Sequence, residues 1–299
     1  MTTLQSKIDF AVILRVKNAN PNGDPLNGNR PRTDYSNFGE MSDVSIKRKI
    51  RDRLIERWVN DGKKEDDGNM IFVQSDDRKV DEAKNLRERS KVVFTENASQ
   101  NEIIRLASER WFDVRAFGQV FPFKGKGKNK KKIDTKDEVE GNDEGDTGVS
   151  IGIRGPVTIQ SAFSIEPIEI IPTQITKSTS LEGDGINRQS DQMGMKHRVD
   201  HGFYVFYGSM NPQLAEKTGF SNSDADAIKL VLPKIFENDE SSARPAGSME
   251  VLKVIWWKHK CKSGQHSSAK VHRSLVVNPD GTYALNLLEG LVPEEIDGF

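Results

Sequence analysis

Residues 15–34, which read RVKNANPNGDPLNGNRPRTD, are rich in hydrogen-bonding side chains and directly follow an apolar stretch. Amide side chains and exposed backbone N–H groups can bind phosphate and sugar oxygens, and arginine, present here as Arg30 and Arg32, can pair with phosphate through two parallel hydrogen bonds. Asparagine and glycine are also typical of tight turns. The stretch therefore predicts either a phosphate- and sugar-binding loop or a simple double turn.

Two carboxylates of the same stretch, Asp24 and Asp34, could hold a divalent ion for phosphodiester cleavage. No third carboxylate or paired base is evident, so metal-dependent cleavage is kept as the alternative. The chain has no G-x-S-x-G elbow, no G-x-x-x-x-G-K-[ST] phosphate loop and no H-E-x-x-H zinc helix. The histidines and the cysteine between residues 259 and 272 match no familiar zinc spacing. We predict no catalytic residue, no metal and no cofactor.

A lysine at an unusual helix position gives a second indication of an anionic ligand. Lys47 falls within the arc defined by Ile46, Ile50 and Leu54, in the first turn of a predicted helix, where the helix dipole disfavours a cation. A phosphate at the helix N-terminus would explain it. The alternative is that the lysine extends along the apolar surface and places its ammonium in solvent.

Other basic side chains are expected at the surface. Arg48, Lys49 and Arg53 lie largely opposite the apolar arc and alternate with acids, which is typical of a solvated helix face. Arg154, in GIRGPVTIQ, is expected at a break between two strands, where a surface arginine is the simpler interpretation.

Strands and helices alternate around these residues. A run of β-branched and large apolar residues predicts a central strand over 7–17, and i+4 spacing with a capping serine or aspartate predicts a helix over 42–61. Further strands are predicted over 149–172, 201–210 and 247–260, helices over 101–118 and 221–238, and a hairpin over 273–288. This order favours an α+β fold with helices on one face of an antiparallel sheet, compatible with a ferredoxin-like βαββαβ core carrying large insertions.

The 299 residues are interpreted as a single domain, 1–299, with three insertions. Residues 63–118 form a helical or finger insertion, and residues 173–200 are a long polar excursion from the sheet. Residues 123–149 carry six lysines up to Lys132 and then seven acids, which predicts a mobile loop or hairpin.

Overall composition restricts the class of protein without identifying a ligand. Lysine and arginine, 44 in total, nearly balance 45 acids, so net charge neither favours nor excludes nucleic acid. The single cysteine, Cys261, excludes a disulfide framework and is typical of a reducing compartment. No apolar run approaches the ~20 residues that cross a bilayer, so we predict a cytoplasmic protein with no membrane contact.

Five blocks of the sequence together resemble one family. From Phe10 to about Pro245, in order, they read NPNGDPLNGNRPRTD, SDVSIKRKIRDRL, FDVRAFGQVF, IRGPVTIQSAFSIEPI and MGMKHRVDHGFYVFYGSMNPQLAEKTGFS. These blocks resemble the RAMP-superfamily backbone subunit of the CRISPR interference complex Cascade, nearest the type I-C branch.

The resemblance implies a modified RNA-recognition-motif palm with a thumb hairpin, which we place at residues 173–200. It also implies non-catalytic copies that assemble head to tail along a CRISPR RNA and flip guide bases at intervals. The expected partners are CRISPR RNA, target DNA in the assembled complex, copies of the chain itself and other Cascade subunits.

By the same resemblance, a set of polar residues is expected to contact the guide backbone without reading bases. The set is Asn20, Asn22, Arg32, Lys47, Lys49, Arg154, Gln160, Lys196 and His197. A type III RAMP subunit that cuts target RNA with a metal at Asp24 or Asp34 is the alternative. A guide-processing endoribonuclease is disfavoured because the tail LLEGLVPEEIDGF lacks a glycine-rich loop.

Overall fold

The computed structural model describes residues 2–62, 67–91, 94, 99–123, 149–176 and 193–299. The strands are β1 Ile8–Ala19, β2 Gly23–Asp24, β3 Arg30–Pro31, β4 Phe38–Met41, β5 Gly118–Phe123, β6 Val149–Arg154, β7 Val157–Ile159, β8 Ala162–Pro167, β9 Ile170–Thr176, β10 Met193–Met210, β11 Met249–Lys258, β12 Leu275–Val277, β13 Tyr283–Leu285 and β14 Glu294–Asp297. The α-helices are α1 Asp43–Asn60, α2 Leu86–Lys91, α3 Gln100–Arg110, α4 Phe112–Phe117, α5 Pro212–Thr218, α6 Asn222–Val231 and α7 Ser268–His272. Short 3-10 helices lie at Pro25–Asn27, Asp76–Arg78 and Leu232–Lys234.

A large antiparallel sheet forms the centre of the fold. Its main path runs β14-β11-β1-β10-β8-β4, and β7 and β9 pair with β10 outside that path. This confirms the predicted α+β fold with an antiparallel sheet. The order β11-β1-β10-β8, with α1 following β1 and α6 between β10 and β11, is compatible with the predicted βαββαβ core, whose details stay a prediction.

Strand β1 is buried on both faces. Phe10, Val12 and Leu14 pack into the main core, which also includes apolar residues of α1 and α6. Ala11 and Ile13 alternate with them and pack under the C-terminal segment 271–291. Two covered faces explain why β1 reads as an almost continuous apolar run.

Capping residues set the starts of the two long helices that pack on the sheet. The Ser42 side chain accepts a hydrogen bond from the backbone N–H of Ser45, which confirms the predicted start of α1. Ser221 and Asp224 cap α6 reciprocally, and the predicted helix over 221–238 gives way to a 3-10 helix at Leu232–Lys234, around Pro233.

The predicted helix over 101–118 is two helices. Trp111, between α3 and α4, has φ −111° and ψ 118°, which is extended backbone. Its fully buried ring lies 4.6 Å from that of Phe72. Burying this indole among aromatic side chains of other segments outweighs the local preference to continue the helix.

The three predicted insertions are described to different extents. Residues 124–148 lie outside the described residues, whereas the two ends of the predicted charged segment, Phe123 and Val149, pair with each other at the ends of β5 and β6. Residues 177–192 also lie outside. The rest of the predicted thumb is strand, since β9 pairs with the first part of β10 from Thr176 with Met193 back to Ile170 with Val199. The described part of the 63–118 insertion includes α2, α3 and α4.

Among the described residues, no helix is long and apolar enough to cross a membrane.

Candidate nucleic-acid interface

The asparagine-rich stretch after β1 folds back on itself. Asn20 is buried, and its side-chain nitrogen donates to the backbone oxygen of Asn29 at 2.7 Å. Its side-chain oxygen has no hydrogen-bond partner in the described part of the chain. The short strands β2 and β3 pair with each other within the loop, where a Cβ at Gly23 would overlap the Asn29 side chain. The stretch is therefore a loop held by internal hydrogen bonds, and the side-chain oxygen of Asn20 is a buried acceptor that has no partner among the described residues.

Asn22 joins this loop to the first helix. Its side-chain oxygen accepts hydrogen bonds from both the backbone N–H and the hydroxyl of Ser42, each at 2.9 Å. Ser42 in turn caps α1. The predicted guide contact Asn22 therefore uses its amide oxygen to hold the loop against the helix N-terminus.

The two carboxylates of the loop each make local contacts through one oxygen, Oδ1. Asp24 accepts from the backbone N–H of Leu26 at 3.2 Å and lies 3.4 Å from a guanidinium nitrogen of Arg32. Asp34 accepts from the backbone N–H groups of Ser36 and Phe38 at 2.8 and 2.9 Å. Within the described ranges, no three His, Cys, Asp or Glu side chains converge as a metal site. Both acids stabilise turns.

Lys47 has a partner within its own helix. Its ammonium lies 2.8 Å from the carboxylate of Asp43, one turn earlier, and the side chain is half-buried. An anion is thus present at the helix N-terminus, but the chain itself provides it. An ammonium has three protons to donate, so this pairing leaves capacity for a ligand oxygen.

Lys49 contradicts the prediction of a solvated helix face. It is 4% exposed, donates to Asp239 and lies 5.4 Å from the centre of the Phe236 ring. Burial lowers the pKa of Lys49 to about 8, against the opposing effect of Asp239. Arg53 is equally buried and donates to Glu56. Both expectations are wrong because residues 235–248, distant in sequence, pack against this face of α1.

Arg154 and Gln160 lie on another part of the fold. Both side chains are exposed, Arg154 at the end of β6 and Gln160 just after β7. The backbone N–H of Gln160 donates to the oxygen of Tyr207 in β10 at 2.9 Å. No described contact joins either side chain to the asparagine-rich loop. Both are accessible to a ligand, and their relation to the loop stays a prediction.

Lys196 and His197 lie where β10 pairs with β9, opposite Thr173 and Pro172. His197 is buried, whereas Lys196 is half-exposed and donates to the backbone oxygen of Ser242. Lys196 is therefore the more accessible of the two, at the base of the predicted thumb.

Sequence reasoning did not identify the loop 235–248, which connects several of these residues. The neighbouring carbonyl of Ala243 accepts from the backbone N–H of Asn20 at 2.8 Å, next to the Ser242 carbonyl that binds Lys196. The asparagine-rich loop and the part of β10 that pairs with β9, residues 193–199, thus contact one short turn; we call this part of the strand the β10 base. Its only sequence signal is turn-forming residues around Arg244.

A model of the family described as CRISPR-associated protein Cas7 matches residues 6–288. A CRISPR-associated protein Cas7 from Haloferax volcanii is 24% identical over 303 residues, covering 98% of this chain and 81% of the relative. A chain of a CRISPR RNA-guided surveillance complex aligns with a TM-score of 0.45 and 14% identity, covering 92% of this chain and 77% of that one. A chain of the type III-B Cmr-beta complex bound to cognate target RNA aligns with a TM-score of 0.41 and 10% identity, covering 83% and 60%.

Proposed function

We propose, because this chain belongs to the CRISPR-associated Cas7 family, that it is a guide-RNA-binding backbone subunit of a CRISPR surveillance complex. In this proposal several copies assemble head to tail along one CRISPR RNA in the cytoplasm, together with other subunits, and help to hold target DNA. The blocks of sequence described above favour the type I-C branch.

The observation that carries the proposal is that the asparagine-rich loop and the β10 base are both hydrogen-bonded to the same turn. Asn20 and Lys196 bind neighbouring carbonyls, Ala243 and Ser242, in one turn. A single backbone segment of RNA could therefore lie across both. Hydrogen bonds from amides and ammonium groups to phosphate and sugar carry no base preference, as a subunit that accepts any guide requires.

The predicted contacts separate into two roles. We propose that accessible side chains contact the RNA backbone directly, whereas buried ones support them. The first set is Arg32, Lys47, Arg154, Gln160 and Lys196; the second is the buried Asn20, Lys49 and His197, together with the half-buried Asn22, whose amide oxygen is already bound to Ser42.

Metal-dependent RNA cleavage is the less favoured function. Asp24 is paired with Arg32, Asp34 accepts from two backbone N–H groups, and within the described part of the chain neither belongs to a group of three metal-ligating side chains. Magnesium-dependent cleavage of RNA complementary to the guide, abolished in Asp24→Asn or Asp34→Asn, would establish it.

The test of the proposed function is co-expression with a guide RNA, followed by native mass measurement before and after ribonuclease treatment. A multi-copy particle that protects the RNA at regular intervals is expected. Lys47→Ala combined with Arg154→Ala should weaken binding of all guides alike and reduce the salt dependence, since phosphate contacts are lost. Lys262→Ala removes an exposed cation paired with Glu216 and is the matched control. Loss of binding for only some guide sequences would contradict the proposal.

A further inference from the structure

The loop 235–248 contacts four separate parts of the fold. The Asn238 side chain donates to Glu56 of α1 at 2.8 Å, and the Asn238 carbonyl accepts from Arg78. The carbonyl of Ser248 accepts from the backbone N–H of Lys17 in β1 at 2.8 Å. With the bonds to Asn20 and Lys196, the loop connects α1, the Asp76–Arg78 turn, the end of β1 and the base of β10.

Asp239 is the charged centre of this loop. One carboxylate oxygen accepts hydrogen bonds from both Lys49 of α1 and Arg244, the latter at 2.9 Å. The Asp239 side chain is 13% exposed and that of Lys49 is 5% exposed. The carboxylate therefore fixes the far side of the turn to α1 from within a largely desolvated site.

The geometry of the turn transmits this restraint to the two carbonyls. Ser241 and Arg244 exchange backbone hydrogen bonds of 2.9 and 3.1 Å, which closes the turn. Ser242 and Ala243 are the two residues enclosed by that exchange. Holding Arg244 with Asp239 thus sets the direction of the carbonyls that bind Lys196 and the backbone of Asn20.

We propose that Asp239 is a positioning residue for guide-RNA binding, which it serves by ordering the asparagine-rich loop and the β10 base before the RNA arrives. The inference rests on the proposed function. Asp239 itself does not touch the RNA; it acts through Lys49 and Arg244.

The direction in which RNA affinity changes when Asp239 is removed distinguishes a positioning role from a purely electrostatic one. Removing a negative charge near an RNA site should strengthen binding of a polyanion. If Asp239 orders the site, its removal should weaken binding instead, because Asn20 and Lys196 would have to be ordered during binding. The expected loss is about tenfold in affinity, equal for all guide sequences. The salt dependence should stay unchanged, since no phosphate contact is lost.

The first variant is Asp239→Ala, compared with the wild-type chain for binding of single-stranded guide RNAs of differing sequence over a range of salt concentrations. This variant leaves Lys49 buried without its partner, so it is expected to be less stable. A second variant, Lys49→Met with Asp239→Ala, removes both buried charges and lets an apolar side chain of similar length contact Phe236. Hydrogen exchange of the Asn20 amide reports directly on the bond to Ala243.

The double variant shows whether Asp239 affects RNA binding by positioning the loop or only by stabilising the fold. We expect it to recover the thermal stability of the wild-type chain while guide affinity stays about tenfold lower and the Asn20 amide exchanges faster. Recovery of affinity together with stability would overturn the inference, as would wild-type affinity in Asp239→Ala. A wild-type chain that binds no guide RNA would instead contradict the proposed function.

Discussion

The carboxylate of Asp9, fully buried in β1, lies 2.9 Å from Nε2 of His259, which follows β11. The other ring nitrogen of His259 accepts the backbone N–H of Gln265 at 2.9 Å, so Nε2 carries the proton and donates it to Asp9. Lys7 lies 3.3 Å from the same carboxylate. Asp9 therefore ties the C-terminal segment to the second face of the sheet.

The first prediction concerns this buried carboxylate. Burial alone would raise the pKa of Asp9, but hydrogen bonds from His259 and Ser268 and the charge of Lys7 outweigh it, so the pKa is lowered. Asp9→Asn should reduce the free energy of unfolding by about 3 kcal/mol at pH 7. Because the folded pKa lies below the unfolded one, this stabilisation is complete above about pH 4 and decreases as the pH falls further. Urea unfolding of both chains from pH 7 to pH 3 measures it, and a difference independent of pH would contradict it.

The second prediction concerns Lys49, whose pKa is also lowered, but for a base this shift means that the charged form is destabilised by folding. Burial lowers the pKa to about 8 from 10.5. Below pH 8 the lysine is charged in both the folded and the unfolded chain, and the folded chain bears the full free-energy cost of burying the charge. Between pH 8 and 10.5 the folded state loses the proton first, so that cost falls by ~3 kcal/mol.

The free energy of unfolding of the wild-type chain relative to Lys49→Met should therefore rise as the pH increases from 7 to 10. Both chains share every other titrating group, so the difference isolates Lys49. Denaturant unfolding at several pH values measures it, and a constant difference would show that the ammonium is not desolvated.

Lys49 also shows where sequence reasoning succeeds and where it stops. The spacing of Ile46, Ile50 and Leu54 predicts the helix and its buried face correctly, because that signal is local. Burial of Lys49 depends on a loop almost two hundred residues away, as the separation of 190 positions from Asp239 shows. No periodicity within α1 contains that information.

In the asparagine-rich loop, too, the local structure is predictable from the sequence but the tertiary contacts are not. A polar loop after the first strand is predictable from its composition, since asparagine and glycine form turns. The composition does not predict which amide side chains form internal hydrogen bonds. In the structure, Asn22 binds Ser42 and Asn20 binds Asn29. These choices follow from how the loop meets α1, which is a tertiary contact. Helical spacing likewise continued through Trp111, where packing against Phe72 breaks the helix.

The third prediction concerns a buried ion pair at the start of α6. Arg115 of α4 binds both oxygens of Asp224, at 3.0 and 2.8 Å, and also donates to the carbonyls of Gly68 and Ser108. Arg115→Ala should cost about 3–5 kcal/mol of unfolding free energy, since it leaves a buried carboxylate unpaired. Arg115→Lys should recover little, because an ammonium cannot make the paired contact. Chemical denaturation tests both variants, and full recovery by lysine would contradict the geometric explanation.

The last prediction separates the structural and RNA-binding roles of the asparagine-rich loop by using two substitutions at one position. Asn22→Asp keeps an oxygen that can accept both hydrogen bonds from Ser42, whereas Asn22→Ala loses both. The aspartate variant should therefore keep wild-type stability, and a carboxylate near a helix N-terminus is also favourable to the helix dipole. The alanine variant should lose about 1–2 kcal/mol.

RNA binding should not follow stability. Asn22→Asp places a new negative charge beside the proposed phosphate path, so guide affinity should fall although the fold is intact, and the loss should be smaller at high salt. Fluorescence anisotropy with a labelled guide RNA at two salt concentrations, alongside thermal unfolding, measures both quantities. If Asn22→Asp bound the guide as well as the wild-type chain, the RNA backbone would have to pass elsewhere, and the loop would be a turn that only supports α1.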